Sequence, residues 1–545
     1  MVLLERRIGL LFGLFLLLLV FAGLRATWLV GVRGDSLRGR AAQQQVQEIV
    51  VPARRGAITD RNGRELAVTE DAATISANPK QVPNPATAAH RLSAALRMPL
   101  DGLLEKLSDR SVGFVYLARK VDAAKGDAVR KLSLPGISVT PEPRRRYPHG
   151  ALASQLVGAV GTDGYGLAGI EQSREKQLHG NDGKRRIVSD ALGDPVSIVD
   201  LEHERPGQDV RLTIDSAIQE RVESVLSGVG RTYQPKGATA LVLDPRNGEI
   251  LSLANWPPVP AERFGEAPAY ARQNRAVGAS YEPGSTFKPF TVAGALSEKL
   301  IQPSTLFQLG PTIQVADRTI KESHAGGGGT LTTADILAQS SNVGTVTIGL
   351  RLGGKRFDRW IRRFGFGGST HVDIPGEATG IVPKPAEYSG SSMGNLPIGQ
   401  GLAVTPMQIA AGYQALANGG VMRPPHVIEG APGPARRVID ARVAGQVSRM
   451  LEGVLGAGGT AQEAKIDGYV LAGKTGTAEK AENGGYSKTK YVASFIGFAP
   501  ARKPRLLVAV MVDEPKGQIY GGQVAAPAFQ KIASFALPYL RIPPG

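Results

Sequence analysis

The sequence predicts an α/β protein: an antiparallel sheet sandwiched with helices in the C-terminal part, an α+β region before it, and one apolar helix at the N-terminus. Three observations carry this. An uncharged run, Ile8 to Leu24, opens the chain. β-patterned segments occur at both ends of the C-terminal part, within Ala238–Ala254 and Tyr491–Pro515. Helix-patterned stretches flank and separate them, and a sheet made from both ends with helices inserted between is an α/β sandwich. At 545 residues the chain is too long for one core, so two or three domains are expected.

The first element is "IGLLFGLFLLLLVFAGL". Its seventeen residues span about 25 Å as a helix. That is slightly short of a hydrocarbon core of about 30 Å. The apolar run resumes after Arg25 with "ATWLVGV". Arg25 can snorkel and Trp28 suits an interface, so a single span over residues 8–32 follows, preceded by a short tail at 1–7. A cleaved signal peptide would have a shorter apolar region and a small-x-small site, which "LRATWLV" does not offer. The expectation is an uncleaved anchor. Arg6 and Arg7 precede the span, whereas Arg25, Arg33, Arg38 and Arg40 lie at or after it. Counting alone would keep the C-terminal side in the cytoplasm, but large domains translocate largely regardless of charge. The chemistry has to decide the side.

Residues 33–205 read as an α+β pedestal. "RRGAITDRNGRELAV" places Asn62-Gly63 as a hairpin turn between two short apolar runs. "RRRYP" from Arg144 is a basic stretch ending in an extended turn, and "GLAGIE" covers Gly166 to Glu171. "GNDGKRRIVSDALGDPV" follows. No catalytic cluster is visible here, and a spacer or docking module is the better reading.

Residues 206–545 have a different texture. "TIDSAIQERVESVLSGVG" is an amphipathic helix: Asp215 or Ser216 caps it, Ile218, Val222, Val225 and Leu226 share a face, and Gly228 is expected to stop it. A hairpin is expected next, with strands Ala238–Leu243 and Glu249–Ala254 about an Asn247-Gly248 turn. "YVASFIGFAP" and "RLLVAVMVDEP" are two further strands, and a last helix runs around Ala525–Leu537.

Composition removes several chemistries. There is no cysteine, which excludes disulfides, thiolate catalysis and Cys-ligated metals. The seven histidines form no ligand spacing, so no metal is expected. A net charge of +16 could favour a polyanion, but neither an aromatic-studded basic strand nor a zinc spacing is present, so no nucleic acid is expected.

Ser-x-x-Lys occurs three times, at Ser173, Ser285 and Ser487, and Ser-x-Asn twice, at Ser76–Asn78 and Ser340–Asn342. Each is weak alone. Lys-Thr-Gly occurs once, at Lys474-Thr475-Gly476, followed by Thr477. The informative signal is the order Ser285-x-x-Lys288, Ser340-Ser341-Asn342, Lys474-Thr475-Gly476-Thr477, at intervals of 55 and 134 residues. Positions i and i+3 of a helix share a face, so Ser285 and Lys288 can touch. A serine hydroxyl is a poor nucleophile until a base takes its proton. A lysine can do so only if burial or another cation, here Lys474, lowers its pKa. The N–H groups at the helix start point to where an oxyanion would form. Gly284 supplies a tight entry, and Pro289 sits where a missing N–H is cheap.

These three motifs in this order form the active-site set of penicillin-binding proteins and β-lactamases. The whole chain resembles a class B penicillin-binding protein, most closely the division type, a peptidoglycan D,D-transpeptidase. The match covers the anchor, "RRGAITDRNGRELAV", "RRRYPHG", "GLAGIE", "YEPGSTFKP", "GQGLAVTPMQIA" and the three catalytic motifs. The choice of division over elongation type rests on "RNGRELAV…ISANPK" and "SDALGDPV". The resemblance implies a dimerisation-like pedestal at 33–205 and a penicillin-binding fold at 206–545. It implies Ser285 as nucleophile, Lys288 as base, Ser340 as proton shuttle and Lys474 as a cation on an edge strand. Asn342 would bind the peptide amide, Thr475 and Thr477 the substrate carboxylate, and Gly476 would let substrate backbone approach. The middle motif is Ser-Ser-Asn rather than Ser-Asp-Asn, a departure that occurs among the resembled transpeptidases. No metal or organic cofactor is implied. Implied partners are peptidoglycan stem peptides, β-lactams, a glycan polymerase of the shape-elongation-division-sporulation family and small division membrane proteins. The implied location is the bacterial inner membrane, single-pass, with residues 1–7 as a cytoplasmic tail and the C-terminal domain periplasmic. The rivals are an elongation-type transpeptidase and a β-lactam-sensing or β-lactamase-like protein, against which no Glu-x-x-Leu-Asn string is found. A vestigial scaffold would not keep all three motifs.

Overall fold

A computed structural model describes residues 2–31, 46–189, 195–323, 327–430, 433–482 and 484–544. Residues 32–45, and most of the "SDALGDPV" string used above for the division reading, lie outside them. Contacts divide the chain into two units, Met1–Arg55 with His179–Gly207, and Gly56–Leu178 with Gln208–Gly545.

The first unit holds a helix, Val2–Gly31. Its Ile8–Trp28 segment has mean hydropathy 2.4 and no buried residue, so it is long and apolar enough to cross a membrane. The same unit holds a three-stranded antiparallel sheet in which Gly183–Ser189 lies between Val46–Val51 and Pro195–Glu202. Exposed ion pairs such as Arg186–Glu48 and Lys184–Glu202 stud it; pairs of this kind contribute little to stability.

The second unit begins with the expected hairpin. Ile58–Thr59 and Glu65–Glu70 pair antiparallel, and the Asp60 carboxylate accepts from the N–H groups of Asn62 and Arg64. Strand Arg144–Arg146 pairs with Glu65–Glu70. Arg145 of "RRRYP" and Glu171 of "GLAGIE" form an ion pair 2.7 Å long whose side chains are 3% and 0% exposed. Two strings with no catalytic content are thus tied into one buried linkage. Ile58, Leu66, Tyr147, Leu156, Ile170 and Leu178 share a core with the C-terminal part, whereas Ile75, Leu92, Leu103, Leu117 and Val129 form a separate small core.

The C-terminal part is built on a five-stranded antiparallel sheet. Its strands are β1 (Gly237–Leu243), β2 (Ile250–Trp256), β3 (Ala472–Glu482), β4 (Gly485–Ala499) and β5 (Leu506–Asp513), in the order β2-β1-β5-β4-β3. Both chain ends of this part supply strands, as the pattern requires. Helices α1 (Ser216–Tyr233) and α5 (Ala526–Tyr539) pack together and against it. Helices α2 (Lys288–Ser297), α3 (Asn342–Leu352) and α4 (Pro406–Ala417) come from the long insertion between β2 and β3. Asp215 caps α1 by accepting from Ala217 and Ile218 N–H.

The end of α1 differs from expectation. α1 does not stop at Gly228 but runs to Tyr233, ending at a left-handed Gln234 just before Pro235. The glycine that matters is Gly230, where a Cβ would lie 2.3 Å from the Trp256 ring. The missing side chain at Gly230 lets α1 approach β2, and Gly228 does not end the helix.

Candidate active site

The turn that carries Ser285 is a short 3-10 segment, Gly284–Phe287, that runs directly into α2. Gly284 has φ +53, a left-handed conformation that favours glycine. Beneath it, Phe287, Phe290, Phe364, Phe366 and Tyr413 form a contiguous aromatic cluster. The Tyr413 hydroxyl donates to Thr286 O at 2.8 Å. The turn carrying Ser285 is therefore held from below by packing and from within by its own hydrogen bonds, such as Thr286 Oγ1 to Pro283 O at 2.8 Å.

Ser285, Ser340, Thr475 and Thr477 line one cleft, together with Ser323, Thr460, Tyr520 and Gly521. Lys288 and Lys474 lie under its floor, each fully buried. Lys288 Nζ donates to Ser340 O at 2.6 Å, to Asn342 Oδ1 at 2.7 Å and to Ser340 Oγ at 3.3 Å. Ser285 is not among its hydrogen-bond partners; catalytic contacts of this kind often tighten only when substrate binds. Ser340 takes φ +61, unusual for a residue with a Cβ, and so turns both its carbonyl and its hydroxyl to the lysine. Burial and then the positive charge of Lys474 hold the Lys288 amine well below the ordinary lysine range. Among the described residues, Lys474 has only long contacts, to Thr475 O at 3.3 Å and Thr475 Oγ1 at 3.4 Å. Burial brings its pKa down to about 7.

β3 is the edge strand, and Lys474, Thr475, Gly476 and Thr477 pair with Ile496, Phe495, Ser494 and Ala493 of β4. Thr475 Oγ1 meets Thr460 Oγ1 at 2.7 Å, and Thr477 Oγ1 accepts from Gly521 N–H at 3.0 Å. These hydroxyls form a small polar shelf beside the buried lysines, suited to an anionic group. Gly476 also has a packing role within the protein. A Cβ there would meet Ser494 Oγ at 2.4 Å, Thr286 Cγ2 at 2.9 Å and Pro283 O at 3.0 Å. Its missing side chain lets the turn that carries Ser285 pack on the strand. The Asn342 amide is engaged within the protein, accepting from Lys288 and donating through Nδ2 to Lys321 O at 3.0 Å.

The other motif matches fall elsewhere. Ser173 is exposed at the end of a short helix, Gly169–Ser173. Ser487 accepts from Thr489 and Lys490 N–H while Lys490 pairs with Glu482. Ser76 is buried in a strand, and Asn78 caps a 3-10 turn. Sequence reasoning missed Thr460 and Glu322, which touch the motif residues; no local pattern marks either one.

Residues 238–534 match the family described as the penicillin-binding protein transpeptidase domain, and residues 50–212 match the penicillin-binding protein dimerisation domain. With sheet, cleft and motifs in place, the chain belongs to the penicillin-binding protein transpeptidases, in their class B. It is 34% identical to the probable peptidoglycan D,D-transpeptidase PenA of Neisseria meningitidis, over 98% of this chain and 93% of that one. It is 33% identical to the peptidoglycan D,D-transpeptidase FtsI of Escherichia coli, over 99% and 92%. The crystal structure of penicillin-binding protein 3 from Mycobacterium tuberculosis complexed with aztreonam has TM-score 0.72 at 30% identity, covering 91% of this chain and 98% of that one.

Proposed function

We propose that this class B peptidoglycan D,D-transpeptidase works through an acyl-enzyme on Ser285. Ser285 Oγ attacks the carbonyl of a stem peptide's D-Ala–D-Ala bond as Lys288 takes the hydroxyl proton. The N–H groups of Ser285 and Thr477 hold the oxyanion. The proton passes through Ser340 to the departing amine and D-Ala leaves. An amine of a neighbouring peptide then attacks the ester, loses a proton to the same relay, and frees Ser285 with the cross-link made. Thr475 and Thr477 hold the terminal carboxylate, beside the charge of Lys474. Asn342 orients the peptide, which requires its amide to exchange an internal bond for one to substrate. A β-lactam enters the same way and stays as the acyl group. The observation that carries this is the convergence of three motifs, far apart in sequence, on one cleft with two buried lysines beneath it.

The reaction belongs outside the cytoplasm, because stem peptides are cross-linked there, so residues 33–545 are placed on the periplasmic side of a single span at 8–32. Residues 33–205 act as a docking pedestal and 206–545 as the catalytic part. The septal role is favoured over elongation by the relatives' names and the "RNGRELAV" string. A glycan polymerase of the shape-elongation-division-sporulation family and small division membrane proteins are the partners this role calls for. The full-length chain in detergent should be labelled stoichiometrically by fluorescent penicillin. Ser285→Ala should abolish labelling, and persistent labelling of that variant would refute the assignment.

A further inference from the structure

We propose that Glu322 is a positioning residue that fixes the base Lys288 through Asn342 and Ser341, an inference resting on the acyl-enzyme reading above. Glu322 belongs to none of the three motifs. It immediately follows the strand Arg318–Lys321. One carboxylate oxygen accepts from Ser341 Oγ at 2.5 Å and the other from Asn342 N–H at 2.8 Å. Ser341 Oγ in turn accepts from Gly344 N–H at 2.9 Å, so the carboxylate, the serine and the first turn of α3 form one clamp. A negative group at this helix start is also favoured by the helix dipole.

The clamp has a consequence for catalysis. Asn342 is held on two sides by consecutive residues: its N–H by Glu322, and its Nδ2 by Lys321 O at 3.0 Å. Its remaining amide atom, Oδ1, is the one that takes the Lys288 amine at 2.7 Å. The place of Lys288 Nζ is therefore set from the end of a strand outside the motifs. The charges acting on Lys288 are Lys474, which disfavours the ammonium, and Glu322, which favours it; Ser340 and Asn342, its hydrogen-bond partners, are neutral. Glu322 thus gives Lys288 both an address and a partial counter-charge, so that the amine accepts the serine proton without losing the ability to hold it.

The test is the second-order acylation rate of the full-length chain in detergent with fluorescent penicillin, measured from pH 5 to 10. Glu322→Gln keeps the size and removes the charge. Without that charge the ammonium is less favoured, so the acid limb should move to lower pH by about half a unit or more, while the plateau falls several-fold. A limb left in place, with the rate lowered evenly at all pH, would overturn the proposal by showing a structural role only. Glu322→Asp keeps the charge and withdraws it by one methylene. Its limb should stay at the wild-type position while the plateau drops several-fold; a wild-type plateau would equally overturn the proposal, and this variant decides if Glu322→Gln does not fold. Lys288→Arg separates the two levels. If it acylates normally, the base assignment itself fails, whereas loss of acylation there with an unmoved limb in Glu322→Gln removes Glu322 alone.

Discussion

In the proposed mechanism Ser285, Lys288 and Lys474 act together, and burial sets the state of the two amines. Two fully buried lysines are costly, and in the proposed mechanism that cost is what lets Lys288 shed its proton and act as the base. Lys288→Arg should fold but lose acylation by roughly 10²–10⁴-fold, because arginine keeps its charge and does not release a proton. A near-normal rate would remove Lys288 as base and direct attention to Lys474. Lys474 also leaves a signature in stability. Its folded pKa of about 7 lies below its unfolded value of about 10.4, so between these the unfolded chain binds more protons. Its contribution to stability therefore rises with pH across that window and is least favourable below it. Lys474→Met should raise the melting temperature most at pH 6–7, and the gain should shrink toward pH 10. A pH-independent gain would mean the lysine is charged and satisfied in the folded state. The motif residues that meet at the cleft were legible in the sequence because each motif is local; Glu322 and Thr460 were not, because their contacts exist only where distant segments meet.

At the scale of elements, the site is the line where β3 meets the turn before α2. Gly476 makes that approach possible, with Ser494, Thr286 and Pro283 occupying the space of a side chain. Gly476→Ala should cost about 1–3 kcal/mol of stability by overpacking and shift Ser285 relative to the strand. Its acylation rate should fall at least tenfold. Normal acylation with an unchanged melting temperature would show that the turn can retreat freely. The strand pair about Asn247-Gly248, the terminal strands and the last helix were readable from alternation and turn residues. The end of α1 was not, because Gly228 and Gly230 look alike in sequence and only the Trp256 ring distinguishes packing from termination.

At the scale of the molecule, the pedestal is not a simple spacer. Asp60 accepts from Ser216 N–H at 3.2 Å, and Arg61 pairs with Glu249 at 3.3 Å, so the first hairpin is bound to the catalytic part. Ile58, Leu66, Tyr147 and Ile170 lie in the same core. Removing residues 54–200 as one block should therefore unfold the chain rather than spare penicillin binding. The segment from Ala72 to Pro141 is different. It has its own core and is inserted between two paired strands, where Glu70 and Arg144 are register partners. Replacing it with a short turn should leave penicillin acylation within a few-fold while abolishing growth-supporting function. A loss of acylation would show that this lobe supports the site. Periodicity identified a region without catalytic residues here, but it could not show which half of that region shares a core with the enzyme.

The central claim is that Ser285 is the acylated residue of a cleft assembled from three distant motifs. Its most direct test is peptide mass spectrometry of the full-length chain after reaction with penicillin. The account predicts one adduct, on the peptide containing Ser285, and none in Ser285→Ala. An adduct on Ser173, Ser340 or Ser487, or labelling that survives Ser285→Ala, would contradict it.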